Sequence, residues 1–384
     1  MKSYAKNIQS IKNDNRATIL NLIRKAPISR AEISSIAGLS KSSVTMITNA
    51  LISEGQIKEI GTEESSVGRK RILLDIVADY RFAAGIILHR RDIKVCLTDL
   101  KGEVLDREVS GIENYSSAEA VVDYTVNTVF ELIKRNNFNK ENCIGIGVSC
   151  PGPLDISRGI ILSPPHLDLL HNLPVADMIR EKTGMNVSLE NNAVLLAMRE
   201  NLARDKMKNF ISVIVSHGIG SAIVTDGEIY RGALGFSGEL GHISVVAGGL
   251  SCPCGNSGCL ERYVSLSALK EHFGFSDYKH EIVDAAYEGD EKALEVLRYI
   301  TEYMGSGLVS AVNLFDLDAV ILNGDYSYRP ELLRSMISEY INKNSVVAAV
   351  HGVEVISSPE RNDRAEGNST AAIIEQYFDQ TLEG

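Results

Sequence analysis

Near the start of the chain, apolar positions recur at helical spacing in three short runs. Ala17, Ile19, Leu20 and Ile23 fall close to that spacing within residues 14–25, and Pro27 stops the segment. Ser29, with Glu32 three residues later, forms a capping box opening RAEISSIAG, a short helix ended by Gly38. Ser40 caps a third segment, KSSVTMITNALISEG, in which Val44, Ile47 and Leu51 share one face while Ser42, Thr45 and Asn49 share another. Two short helices, a glycine turn and a third helix with a small polar outer face predict a helix-turn-helix. After Gly55 the strand-like QIKEI and KRILLDI flank GTEESSVGR, a hairpin that makes the head a winged variant.

From residue 80 the pattern changes to alternation and to buried apolar runs. FAAGIILHRRDIKVCLTDLKGEVL alternates as two strands joined at residues 89–92, with DLKG as a second turn. SAEAVVDYTVNTVFELIKRNN predicts a long amphipathic helix and CIGIGVSC a buried strand. FISVIVSHGIGSAIVTDGEIYRG repeats strand, turn, strand, turn; helical residues run from about 265 to 314, and LDAVILNGD supplies another buried strand. Two similar α/β halves predict a bilobal body with a ligand cleft between the lobes. The expected domains are residues 1–75 for the head, 80–190 for the first lobe together with a C-terminal helix at about 365–384, and 191–364 for the second lobe.

Charge separates head from body. The net charge of −11 divides into 12 basic against 7 acidic residues over positions 1–75, a balance of +5, and 27 against 43 over the remainder. Only the head is expected to meet a polyanion. Ser40, Lys41, Ser42, Ser43 and Thr45, at the start of the third helix, are placed to reach phosphates and base edges in a major groove, and Arg69, Lys70 and Arg71 arm the wing. No apolar run reaches the roughly 20 residues of a membrane span, and MKSYAKNIQS lacks a signal peptide's apolar segment, so the expected location is the cytoplasm, without membrane insertion.

Six cysteines stand at 96, 143, 150, 252, 254 and 259. The first three lie in apolar surroundings and read as buried free thiols. The other three crowd into GHISVVAGGLSCPCGNSGCLE, residues 241–261, which in a reducing compartment favours metal over disulfides. His242, Cys252, Cys254 and Cys259 form the Cys₃His set that zinc prefers in closed tetrahedral sites. Four protein ligands leave no position for an activated water, so one structural Zn²⁺ per chain is expected rather than a hydrolytic centre. Folding this loop also brings Glu239 and Glu261 near one another, two acceptors for neighbouring hydroxyls of a polyol.

The order CPGPLD, LENNA, GIGSAIVTDGEIYRGALGFSGELGHI and CPCGNSGCLE resembles the ROK family of repressors, open reading frames and kinases, over residues from about 80 onward. A winged helix-turn-helix ahead of such a body resembles its repressor branch. The resemblance implies an actin-like, sugar-kinase-like pair of α/β lobes, zinc at the same four positions, and sugar ligands at Gly152, Asn191, Asn192, Glu239, His242 and Glu261. His166 stands where the family often has asparagine.

The resemblance also bears on catalysis. Family kinases read Glu-Asn-Asp-Ala at the catalytic base, where this chain reads Glu190-Asn191-Asn192-Ala193, and an amide cannot take a hydroxyl proton near neutral pH. Their first phosphate turn aligns with Ile87 to Arg91, the second with Ser216-His217-Gly218, and the adenosine glycine pair with Asn323-Gly324-Asp325. The expected protein is therefore no enzyme but a monosaccharide-responsive regulator of carbohydrate uptake or catabolism genes, most simply a repressor. Its expected partners are operator DNA and a second copy of the chain, as a homodimer or dimer of dimers. Two other readings stay open: an ATP-dependent sugar kinase, and a repressor controlled by a protein partner. Xylose, glucose and N-acetylglucosamine are all used as effectors within the family.

Overall fold

A computed structural model describes residues 8–63, 71–164, 167–204, 207–358 and 366–380. They form two compact units, residues 1–190 with 363–384, and residues 191–362.

The first unit opens with the head. Helix α1 (Ile8–Lys25) begins before the expected residue 14, and α2 (Arg30–Ala37) and α3 (Lys41–Ser53) follow as predicted. Ser29 Oγ accepts from the Glu32 amide, the Glu32 carboxylate accepts from the Ser29 amide, and Gly38 ends α2 in the left-handed region at φ 65°. Strand β1 (Ile28–Ser29) pairs antiparallel with β3 (Arg71–Ile76), which pairs antiparallel with β2 (Ile57–Glu63). The wing strand β2 thus runs further than QIKEI. Ile19, Leu20, Ile23, Ile33, Val44, Leu51, Ile57, Leu74 and Ile76 bury together as the head's core.

That core does not close on itself. Ile373, Ile374 and Phe378 of the C-terminal helix α7 (Ala371–Gln380) belong to the same cluster. The Arg24 guanidinium of α1 lies 5.0 Å from the Phe378 ring centroid and 3.8 Å from Glu375, and burial lowers its pKa below the usual arginine value. The head is therefore built partly from a segment more than 300 residues away in sequence.

Behind the head, a five-stranded sheet runs in the order β8-β7-β4-β5-β6, from β4 (Phe82–Leu88), β5 (Asp92–Asp99), β6 (Val104–Gly111), β7 (Cys143–Cys150) and β8 (Val187–Asn191). Strands β4, β5 and β6 form an antiparallel meander, and β7 pairs parallel to β4 after α4 (Ala118–Arg135). All seven residues of β4 are buried, where the sequence suggested alternation. The reason is coverage on both faces: Ala84, Ile86 and Leu88 join the core that holds Val122, Val126 and Val129 of α4, while Ala83 joins the head and C-terminal cluster. Residues 366–370 cross the sheet so closely that a Cβ on Gly147 would stand 2.1 Å from the Ser369 carbonyl oxygen. Buried Glu366 is held there by Arg107 at 2.8 Å and Lys94 at 3.4 Å.

The second unit repeats the plan. Its sheet has the order β11-β10-β9-β12-β13, from β9 (Phe210–Val215), β10 (Ile219–Thr225), β11 (Glu228–Ile229), β12 (Ala319–Gly324) and β13 (Glu354–Ser357). β9 and β10 are antiparallel with Phe210 opposite Val224, and β12 runs parallel to β9 with Ala319 opposite Phe210. Ile211, Val213 and Val215 bury on the face covered by the long helix α6 (Glu291–Phe315), and Phe210 buries on the other face with Ala197 of α5 (Asn192–Ala203). The whole is an α/β body of two lobes carrying a helix-turn-helix head. Among the described residues, no helix is long and apolar enough to cross a membrane.

Candidate metal centre and neighbouring sites

The metal cluster forms where a short 3₁₀ turn, Leu240–His242, meets a folded-back loop. Ser244 bridges Cys259 and Ser251 bridges Ser257, so the loop returns on itself as a miniature hairpin. Gly258 permits the closest approach: its φ is 77°, and a Cβ there would stand 1.8 Å from the Val246 carbonyl oxygen. The ligand atoms of His242, Cys252, Cys254 and Cys259 all lie within 4.8 Å of one another. The Cys252 Sγ to His242 Nδ1 and Cys254 Sγ to Cys259 Sγ separations are both 3.7 Å. Tetrahedral ligands on thiolate bonds of about 2.3 Å stand about 3.8 Å apart, so the spacing suits a four-coordinate ion. It is far too wide for a disulfide, and the cysteines are free.

Without an ion these thiolates are costly. Burial pushes the Cys259 thiol up to about 12 and raises Cys252, whereas the backbone amide of Asn256 lowers exposed Cys254. A bound cation removes that cost by favouring the ionised sulfur. Asn256 braces the site further through its side-chain amide, which donates to Ser244 Oγ at 3.0 Å and Cys259 Sγ at 3.5 Å. The Tyr263 hydroxyl accepts from the Leu250 amide at 2.9 Å, and its ring stacks on Tyr303. Sequence reading missed Asn256 and Tyr263. The only available signal was that each lies within a few residues of a ligand.

The carboxylates stand beside this loop. Glu261 opens a short helix, Glu261–Val264, directly after the last cysteines, and its Oε2 accepts from the Ile219 amide at 2.8 Å. Gly218 makes room for it, since a Cβ there would stand 2.7 Å from the same oxygen. Desolvation raises the pKa of Glu239, His242 pulls it down, and the Glu261 charge raises it again, so the two acids and the histidine share one field. Asn191 caps α5, its Oδ1 accepting from the Ala193 amide at 2.8 Å, and Asn192 Oδ1 accepts from the same amide at 2.9 Å. Glu239, His242, Glu261, Asn191 and Asn192 all belong to the second unit. Gly152 belongs to the first, where it precedes a cis bond to Pro153. His166 lies outside the described residues.

At the kinase-related turns, Ile87 and Leu88 are buried and His89, Arg90 and Arg91 are exposed. Ser216 and Gly218 close a tight turn around exposed His217. Asn323 is buried and donates to Ser212 Oγ at 3.1 Å.

On the head, Lys41, Ser42, Thr45, Met46 and Asn49 form the exposed face of α3, while Val44, Thr48 and Leu51 are buried. Ser40 is spent as the cap, accepting from the Ser43 amide at 3.1 Å, and its hydroxyl also bonds those of Ser42 and Ser43. Arg71 is exposed and lies 3.7 Å from Glu32; Arg69 and Lys70 lie outside the described residues. Arg30, not anticipated, ties the head together by donating to Thr48 Oγ1, Asn49 Oδ1 and Glu59 Oε1.

Comparison with known proteins gives this arrangement a context. Residues 83–373 match the sequence model of the ROK family. The xylose repressor of Bacillus spizizenii is 31% identical over 377 residues, covering 96% of this chain and 97% of the repressor. The crystal structure of a ROK family transcriptional regulator, a homologue of the Escherichia coli MLC protein, superposes with a TM-score of 0.80 at 26% identity and covers 98% of this chain and all of its own. The ROK hexokinase from Thermus thermophilus, also 26% identical, superposes with a TM-score of 0.65 over 77% of this chain and 99% of its own.

Proposed function

The chain belongs to the ROK family, and from that premise we propose that it is a sugar-responsive transcriptional repressor acting on carbohydrate uptake or catabolism genes. The head binds operator DNA, and a monosaccharide bound at Glu239, His242, Glu261, Asn191 and Asn192, with Gly152 assigned from its motif, releases it. What carries this reading is coverage. The match to a transcriptional regulator extends through the head over 98% of the chain, whereas the hexokinase accounts for 77% of it.

Zinc is the ion that suits the Cys₃His donor set, and His242, Cys252, Cys254 and Cys259 would hold it with no open position. Bound there, zinc would supply a structural clamp for the loop that carries His242, with Glu239 and Glu261 flanking that loop in sequence. His242 would then serve both sets, one ring nitrogen holding the ion and the other left as a hydrogen-bond partner for a sugar hydroxyl. Glu261, already oriented by the Ile219 amide, offers its second oxygen to the sugar.

Phosphorylation is not part of this function. A kinase needs a carboxylate to take the sugar's proton; Asn192 is an amide, and its oxygen is engaged by the Ala193 amide. Operators with two-fold symmetry require two heads, so the working form is a homodimer or a dimer of dimers, acting in the cytoplasm where its DNA lies. Control by a protein partner rather than a sugar is the alternative reading.

A sugar panel decides among these. In a thermal-shift screen of the zinc-loaded protein against xylose, glucose, N-acetylglucosamine and their phosphates, one compound raises Tm, and a coupled assay with that sugar shows no ATP turnover. Turnover would return the kinase reading. A panel without any shift would favour the protein-partner reading.

A further inference from the structure

The exposed face of α3 has spent its hydroxyls. The Ser42 and Ser43 hydroxyls each bond that of Ser40, Thr45 Oγ1 donates to the Lys41 carbonyl at 2.8 Å, and Thr48 is buried and donates to the Val44 carbonyl. Asn49 Oδ1 is engaged by Arg30 at 3.3 Å. At the centre of this face stands Met46, 61% exposed, one residue after exposed Thr45. Positions 42, 45, 46 and 49 share one side of a helix by the three- and four-residue rule. A long apolar side chain at the middle of that side is unusual for a surface that only has to meet water. With the Thr45 hydroxyl turned back to the Lys41 carbonyl, exposed Thr45 and exposed Met46 offer this side of the helix a methyl group and a thioether chain.

We propose that Thr45 and Met46 read the 5-methyl groups of thymine in the major groove, as the sequence-discriminating contact of this head. The inference rests on the DNA-binding reading above. Thymine alone among the four bases presents a methyl on the major-groove edge, and apolar side chains recognise it by burial. Methionine suits the task, being flexible enough to follow a methyl without demanding a fixed hydrogen-bond geometry. The charge of the head agrees with this occupant: Lys41 is exposed at the start of the same helix, and the head carries a balance of +5. Lys41 then holds the phosphate backbone without regard to sequence, while Thr45 and Met46 supply discrimination.

The test uses the full-length protein. Duplexes are selected from a random library, and each thymine of the selected site is replaced in turn by deoxyuridine, which keeps the base pairing and removes only the methyl. Burial of one methyl corresponds to about a fourfold change in affinity. One or two positions per half-site should lose about that factor, and the loss should shrink to less than about twofold in Met46→Ala or in Thr45→Ser, which keeps the hydroxyl. Both residues are exposed, so both variants should fold, and their melting curves check it. Binding in which no deoxyuridine position matters, or in which the loss persists unchanged in both variants, overturns the methyl-reading role alone. Retention of no duplex at low salt overturns the DNA-binding reading and this inference with it.

Discussion

His242 is the residue on which the two proposed sites converge, its Nδ1 3.7 Å from Cys252 Sγ and Glu239 only three positions before it. Its neighbour in the cluster, Cys259, is fully buried, and burial pushes its thiol up to about 12, so it stays protonated near neutral pH unless a cation favours the thiolate. Cys259→Ser should lower bound zinc from about one per chain to near zero by elemental analysis, and abolish the sugar-induced rise in Tm. DNA retention at low salt should persist, because no α3 residue takes part in the cluster. Loss of zinc with unchanged sugar affinity in a folded protein would break the link between clamp and pocket. The clustering of His242 with the three cysteines was legible in the sequence, because Cys₃His spacing has few other uses. The Ile219 amide that orients Glu261 was not legible. A backbone donor 42 positions away leaves no side-chain signal.

At the scale of elements, the capping box of α2 shows how far local chemistry reaches. Ser29 is buried and Glu32 bonds both its hydroxyl and its amide, which holds the Glu32 carboxyl below its ordinary range. Ser29→Ala should cost about 1 kcal/mol of head stability in denaturant unfolding. The sign of its pH dependence follows from the depressed pKa. The Glu32 contribution is present above the ordinary glutamate range and fades as pH falls through the lowered value, so the difference between wild type and Ser29→Ala should narrow on acidification. An unchanged difference down to about pH 3 would show that the ionised carboxylate contributes nothing. The caps of α2 and α3 and the pairing of β2 with β3 were readable because each rests on neighbours in sequence, whereas β1 and its pairing with β3 were not. The docking of α7 on α1 was not, since Arg24, Glu375 and Phe378 meet only through the fold. The complete burial of β4 escaped for the same reason: one of its faces is covered by residues 366–370, far along the chain.

The whole molecule joins a basic head to an acidic body, and the C-terminal segment that buries Glu366 in the first lobe continues into the helix that completes the head. One segment of chain thus touches both lobe sheet and DNA-reading head, a physical route by which a ligand bound to the body could bias the head. Association with DNA should fall steeply with salt if Lys41 and the wing arginines displace counterions as proposed, read as the slope of affinity against salt. The measurement that bears most directly on a sugar-released repressor is binding of the zinc-loaded protein to its selected operator, titrated with the sugar identified by thermal shift, at fixed salt. We predict that saturating sugar weakens operator binding by about tenfold or more, an allosteric coupling of ordinary size. Operator affinity that stays constant while the sugar demonstrably occupies its site would contradict the account.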